Sequence, residues 1–139
     1  MEYRRFDNTY VIRMERGEEI VEQVRRFAVQ EGVKLASVQA LGAVDDFEIG
    51  VYDVPEKQYH TRRLQGPYEI VSLVGTINTM NGEAYVHLHL SAGDAEGRVF
   101  GGHLLRGVIS ATVEMVVTLI PGTVDRQHDE TLGINLFKF

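Results

Sequence analysis

Three of the five histidines lie in one stretch, YVHLHLSAGDAEGRVFGGHLLRG, which runs from Tyr85 to Gly107. His87 and His89 are two residues apart, so in a strand their side chains point to the same face. The turn-forming residues that follow predict a hairpin that returns His103 to a position roughly opposite His89. Three imidazole nitrogens converging from two neighbouring strands form the ligand set of a catalytic zinc ion, with a fourth position open for water or substrate.

Two glycines precede the third histidine. Gly101 and Gly102 have no Cβ, and we expect them to leave room for a ligand or for a neighbouring segment to approach the backbone. A histidine in a strand is more often a polar residue of the core or surface than a metal ligand, and His60 and His128 are interpreted in that way. The residue pattern by itself leaves both interpretations open for the set of three.

A metal with an open position needs an acid or base nearby if it is to catalyse hydrolysis, decarboxylation or enolisation. Glu114, in the apolar segment SATVEMVV, is the first catalytic candidate, and Glu69, in GPYEIVSL, is the second. The alternative for each is a structural ion pair, for example with Arg98 or Arg106. Arg106 is itself a candidate for binding a substrate carboxylate, or else a residue of a subunit interface.

The composition excludes several classes of protein. The chain has 139 residues, a net charge of −6 and no cysteine, so it has no disulfides and any metal must be bound by histidine, carboxylate or water. An acidic chain with scattered arginine pairs is not expected to bind nucleic acid by itself. No apolar run is long enough to span a membrane and the N-terminus resembles no signal peptide, so we expect a cytoplasmic protein.

Apolar periodicity predicts the secondary structure. Residues 17–31 have one apolar face at helical spacing and form the one predicted helix, with Gly32 as its stop. Asn81-Gly82 between two strand patterns predicts a type I′ hairpin. The remaining patterns predict a single α+β domain over residues 1–139, with strands at Tyr10–Met14, Leu35–Val44, Phe47–Asp53, Gln58–Arg63, Tyr68–Asn78, Glu83–Ser91, Arg98–Leu105, Val108–Ile120 and in the C-terminal GINLFKF.

Several predicted strands have apolar residues on both faces, as in EIVSLVGTI and ISATVEMVVTLI. Strands of this kind are covered on both sides, as in a barrel, a sandwich or a subunit interface. The pattern therefore favours a homo-oligomer.

The sequence resembles the plant and prokaryote conserved (PPC) domain in its stand-alone prokaryotic form. The resemblance extends over RGEEIVEQVRRFAVQEGVKLASVQALGAV and GPYEIVSLVGTIN, and it is most specific in HLHLSAGDAEGRVFGGHLLRGVISATVEMVV. It implies a strongly bent, mostly antiparallel and barrel-like sheet with one packed helix, assembled as a homotrimer. It also implies a relation in fold to α-acetolactate decarboxylase, a zinc enzyme with an H-x-H pair and a later histidine, which here match His87, His89 and His103.

In plants the same domain follows AT-hook segments that bind DNA, and this sequence contains no such motif. The sequence is compatible with two main functions. One is a metal-dependent protein, with zinc or another divalent transition metal, that acts on a small carbonyl or carboxylate compound. The other is a non-catalytic oligomeric module that binds a small-molecule ligand or a protein, and a DNA-related role is the weaker third interpretation.

Overall fold

The fold is a strongly curved antiparallel sheet with one helix packed on it. The structure is a computed structural model that describes all 139 residues. Its elements are β1 (Glu2–Phe6), β2 (Thr9–Glu15), α1 (Ile20–Gln30), β3 (Ala36–Asp53), β4 (Gln58–Met80), β5 (Glu83–Gly93), β6 (Val99–Leu119), β7 (Asp125–Asp129) and β8 (Ile134–Lys138). This architecture confirms the predicted α+β class.

Six strands form the main sheet in the order β1-β2-β6-β3-β4-β5, and every pairing is antiparallel. The end of β5 also pairs with the start of β6. The four strands β3 to β6 therefore close on one another at that end. Beyond them, β2 pairs with the second half of β6 and β1 forms a free edge of the sheet. The sheet is curved but is not a complete barrel. Strands β7 and β8 form a separate two-stranded sheet.

Three pairs of strands that the sequence analysis separated are continuous, so those predicted breaks were wrong. The segments 35–44 and 47–53 merge into β3, 58–63 and 68–78 into β4, and 98–105 and 108–120 into β6. The pairing of β3 with β4 shifts between Val44 and Asp46, where Gly66 and Pro67 take no register partner. A bulge tolerates both residues, since proline has no N–H to donate and the extra residue bends the strand. Two strands, β1 and β7, were not predicted.

The helix is shorter at its start than the predicted 17–31. Gly17 has a φ of +85° and its N–H bonds to the carbonyl of Ile109, which ties this turn to β6 instead of to the helix. Glu19 caps the helix by accepting from the N–H groups of Val21 and Glu22. Gly32, with a φ of +61°, ends it as expected. No helix in this protein is both long and apolar enough to cross a membrane.

The Asn81-Gly82 turn fixes the register of β5. Both residues have positive φ, +53° and +84°, and Met80 pairs directly with Glu83 across the turn. These values are those of the predicted type I′ hairpin. Because side chains alternate along a strand, this register buries Leu88 and Leu90 and directs His87 and His89 to the opposite face.

Candidate metal centre

The three histidines of the sequence motif come together on one face of β5 and β6. His89 and His103 are direct register partners, as predicted. One ring nitrogen from each of His87, His89 and His103 lies within 4.8 Å of the other two. The Nε2 atoms of His87 and His89 are 3.3 Å apart, and the three ring centroids are 5.1 to 5.6 Å from one another.

Glycines allow the neighbouring strands to approach the histidine-bearing ones. A Cβ at Gly75 would overlap the carbonyl oxygen of His87, and a Cβ at Gly102 would lie 2.7 Å from the carbonyl oxygen of Gly50. The second contact is with backbone that β3 contributes, so the missing side chain at this position accommodates a strand. Both glycines thus allow close packing of the strands that position the imidazoles.

The imidazoles face a cavity of about 500 Å³. Its walls come from three regions: Gly50, Val51, Tyr52 and Tyr59 of β3 and β4; Tyr85, His87, His89, Gly102 and His103 of β5 and β6; and Arg126, His128, Gly133, Ile134 and Asn135 of the C-terminal segment. No aspartate or glutamate lines it. The cavity is therefore basic within a protein whose net charge is −6.

Arg126 is the most deeply buried charged group of the cavity, with 7% of its surface exposed. Its Nε donates to Oδ1 of Asn78 at 3.0 Å, and its Nη1 donates to the backbone carbonyl of Asn135 at 2.7 Å. The guanidinium carbon lies 4.6 Å from the ring centroid of Tyr85 and 4.4 Å from that of Phe137. None of these partners carries a negative charge.

Arg126 also sets the tautomer of the first histidine in the metal-free protein. Its Nη2 lies 3.4 Å from Nδ1 of His87. A guanidinium only donates hydrogen bonds, so Nδ1 of His87 accepts and the hydrogen of this neutral ring is on Nε2. That Nε2–H points at Nε2 of His89, 3.3 Å away. Arg126 thus donates a hydrogen bond to His87, and His87 donates one to His89.

The environment favours neutral imidazoles, which are the forms that bind metals. Burial, followed by the charges of His103, Arg126 and His89, lowers the pKa of His87 to about 4. Burial, with a contribution from His89, also lowers the pKa of His103. Burial raises the pKa of Tyr59, whose ring lies 5.3 Å from that of His103. Near neutral pH, His87 and His103 are therefore unprotonated and have a lone pair available.

These residues fit a transition-metal ion. Nδ1 of His103 is buried and has no hydrogen-bond partner, which is costly for a polar atom unless something else binds to it. Two nitrogens bound to one tetrahedral zinc at about 2.0–2.1 Å are about 3.3 Å apart, the same spacing as between His87 and His89. Imidazole nitrogens suit zinc, copper, iron and nickel. The donor set is that of a three-histidine site, and the spacing of its first two nitrogens fits a shared metal ion.

The other candidate residues lie elsewhere. Glu69 and Glu114 are exposed and line no part of this cavity; Glu114 is eleven residues beyond His103 on β6. Neither forms the ion pair with Arg98 or Arg106 that was considered for it. Arg98 pairs with Asp94 and Glu96 instead, and Arg106 pairs with Asp46.

Sequence reasoning missed the contribution of the C-terminal segment. His128 lines the cavity, whereas His60 lies at the surface with its Nε2 3.3 Å from Glu56. The spacing of Arg126 and His128, two residues apart, repeats that of the first histidine pair and places them on one face of a strand. The polar segment DRQHD has no apolar alternation, so its strand was not recognised.

The comparisons with known proteins cover most of the chain. A family model described as the Plants and Prokaryotes Conserved (PCC) domain matches residues 1–121. The bifunctional protein GlmU of Synechococcus sp. (strain JA-3-3Ab) is 34% identical over 127 residues, which are 89% of this chain and 19% of that protein. The chain thus spans about a fifth of the length of the curated relatives that it matches.

Solved structures share the whole fold. A plant- and prokaryote-conserved protein of Pyrococcus horikoshii has a TM-score of 0.87 and 31% identity, with 99% of this chain and 94% of that one covered. A metal-containing protein from Archaeoglobus fulgidus has a TM-score of 0.87 and 30% identity, with 99% and 97% covered. A candidate DNA-binding protein from Bacteroides thetaiotaomicron has a TM-score of 0.96 and 27% identity, with 99% and 96% covered. With the family model matching most of its length, the chain belongs to the family of the Plants and Prokaryotes Conserved domain.

Proposed function

We propose that the protein binds a divalent transition metal, with zinc as the first candidate, through His87, His89 and His103. We propose further that it uses the open position of this metal to bind a small carbonyl or carboxylate compound. The observation that carries the proposal is the convergence of three ring nitrogens within 4.8 Å at the wall of a cavity of about 500 Å³. A bound metal would supply polarisation of a carbonyl oxygen or a lowered pKa of a bound water.

Two further observations support a metal. The unpartnered Nδ1 of His103 shows that the cluster is incomplete as a hydrogen-bonded group. The structural neighbour from Archaeoglobus fulgidus is described as metal-containing and shares 30% of its residues with this chain. Zinc is preferred for three imidazoles because it accepts a tetrahedral site with three protein ligands and one open position.

The residues of the cavity limit which groups of this chain transfer protons. No carboxylate lines the cavity, so within one chain the titratable groups available are His128 and the tyrosines Tyr52, Tyr59 and Tyr85. Tyr52 already donates to the backbone carbonyl of Leu132 at 2.9 Å. Glu69 or Glu114 would act on a ligand only if a neighbouring subunit presented it to the cavity.

Elemental analysis tests the metal directly. Protein purified without a histidine tag under zinc-replete conditions is expected to contain about one transition-metal ion per chain, and a His87→Ala/His89→Ala variant is expected to contain none. The matched control is His60→Ala, which removes a histidine from the surface group with Asp53 and Glu56 and should leave the metal content unchanged. Wild-type protein without metal, or equal loss in the control, would contradict the proposal.

A non-catalytic oligomeric module that binds a ligand or a protein is the second candidate, and exposed apolar residues favour it. Leu41, Val51, Val71, Val74 and Val99 all have more than half of their surface exposed in the single chain. Burying such residues against further copies would stabilise an assembly, which we propose to be a homotrimer. Light scattering on the purified protein measures the number of chains.

DNA binding is the weaker proposal. It is supported by the neighbour from Bacteroides thetaiotaomicron, which is described as a candidate DNA-binding protein. The net charge of −6 works against it, because affinity for a phosphate backbone requires concentrated positive charge. Exposed arginines such as Arg4, Arg16 and Arg25 are separated along the chain by acidic residues and do not concentrate positive charge.

A further inference from the structure

We propose that Arg126 forms an anion-binding subsite next to the histidines and that the ligand of the cavity carries a carboxylate group. This inference rests on the proposed function, because it describes the compound that would lie beside the metal. Arg126 lies beyond residues 1–121, the part of the chain that the family model matches.

The first argument is the uncompensated charge of Arg126. Burial of a guanidinium costs several kcal/mol of free energy unless an opposite charge lies close by. Arg126 is 7% exposed and forms no ion pair, and no aspartate or glutamate lines its cavity. Its hydrogen-bond acceptors are an amide oxygen, a backbone carbonyl and a ring nitrogen. An anionic ligand would supply the missing charge.

The second argument is that the guanidinium is held rigidly. Tyr85 and Phe137 each place a ring within 5 Å of the guanidinium carbon, and Asn78 and Asn135 fix Nε and Nη1. A preorganised group loses little conformational entropy when a ligand binds. Of the five N–H groups of arginine, three have partners in the structure, which leaves two available. The planar arrangement of these groups matches a carboxylate.

The third argument connects the anion to the metal. If Nε2 of His87 bound a metal, the hydrogen of the neutral ring would be on Nδ1, which faces Nη2 of Arg126 at 3.4 Å. The N–H groups of His87 Nδ1 and Arg126 Nη2 would then face each other, and both would need a hydrogen-bond acceptor. A carboxylate beside them accepts from both and completes the outer hydrogen bonds of the metal ligand. Metal and carboxylate should therefore strengthen each other's binding, and by linkage this effect is reciprocal.

The size and lining of the cavity define the class of ligand. A volume of about 500 Å³ admits a small molecule, and Val51, Tyr59 and Ile134 provide apolar contacts beside the polar groups. The basic side is formed by Arg126 and the histidines. The ligand is therefore a small carboxylate with a short apolar part.

The test uses acetate and its neutral isostere acetamide as probes. Each is titrated into full-length protein, both zinc-free and zinc-loaded, and binding is followed by the NMR shifts of the histidine rings. Zinc-free wild-type protein is expected to bind acetate at least 10-fold more tightly than acetamide, and zinc is expected to increase the affinity for acetate. Arg126→Gln should lower the affinity for acetate about 10-fold or more and leave the zinc content unchanged. Arg25→Gln, which changes an exposed arginine of α1, is the matched control and should change neither value.

Some outcomes would overturn the inference. Equal binding of acetate and acetamide by zinc-free wild-type protein excludes an anion subsite, and this comparison does not depend on whether a variant folds. Unchanged acetate binding by Arg126→Gln excludes Arg126. If zinc binds and acetate binding is independent of Arg126, the subsite fails while the metal site stands. If no zinc binds but acetate binding depends on Arg126, the subsite stands while the proposed function fails.

Discussion

Two clusters of polar residues in this protein are built in opposite ways. At the outer surface, the carboxylate of Asp46 accepts from Nε and Nη2 of Arg63, both at 2.7 Å, and from Nη1 of Arg106 at 2.8 Å. These bonds, those of Arg63 first, hold the pKa of Asp46 well below its usual range. In the cavity, Arg126 and the clustered His87, His89 and His103 have no carboxylate among them.

The difference separates a structural cluster from a candidate binding site. The positive charges at Asp46 are compensated and exposed to water, so the protein needs nothing else there. The groups of the cavity are incompletely paired, since Arg126 has no counter-ion and Nδ1 of His103 has no partner. A fold that carries such a cost at one place is expected to gain function from it.

The largest effect should come from removing the unpartnered group. His103→Leu replaces a half-buried ring, whose Nδ1 is buried without a partner, by an apolar side chain of similar volume, so the free energy of unfolding of the metal-free protein should rise by about 1 kcal/mol. Chemical denaturation measures it. Zinc should stabilise the wild-type protein and not the variant. A loss of stability in the metal-free variant would mean that His103 is a structural residue like Asp46.

The pH dependence of the free energy of unfolding gives a second test of the histidine cluster. The pKa of His87 is about 4 in the folded protein and 6.5 in the unfolded chain, so between these values the unfolded chain binds more protons. The free energy of unfolding of the metal-free protein should therefore fall as the pH decreases from 6.5 towards 4. Denaturation curves at pH 7 and pH 5 measure the change, and His87→Gln should reduce it. A dependence unchanged by that substitution would show that His87 is not the group responsible.

The smallest effect is expected at the compensated cluster. Arg106→Gln removes one of two exposed arginines from a carboxylate that keeps the other, so Tm should change by no more than about 2 °C. Calorimetry of the two proteins measures this difference. A large decrease in Tm would mean that surface pairing contributes more to this fold than exposed ion pairs usually do, and the contrast between the two clusters would be lost.

The sequence predicted the parts of the site that depend on local rules. The same-face placement of His87 and His89 follows from strand alternation, and the turn at Asn81-Gly82 sets its register. The helix and its stop at Gly32 follow from periodicity and backbone conformation. Each of these features is determined by residues within a few positions of one another in the chain.

The missed features depend on distant contacts. Whether Gly66-Pro67 forms a turn or a bulge is decided by the pairing of β4 with β3, which the local residues do not show. Likewise, the short strand β7 is placed by Asn78 and Asn135, which bind Arg126 from 48 and 9 residues away in the chain. The importance of Arg126 becomes visible only when the absence of carboxylates around it is known.

The register of β5 has a consequence for how this protein can change during evolution. Four residues separate Gly82 from His87, and the side chains of the strand alternate between two faces. Deleting or inserting one residue between them would exchange the faces, so that Leu88 and Leu90 would point to the cavity and the imidazoles to the core. Point mutations on the histidine-bearing face of β5 are thus tolerated far better than a change in the length of this segment by an odd number of residues. Whether the number of residues between Gly82 and His87 is even or odd is therefore under stronger constraint than most of the individual side chains of the segment.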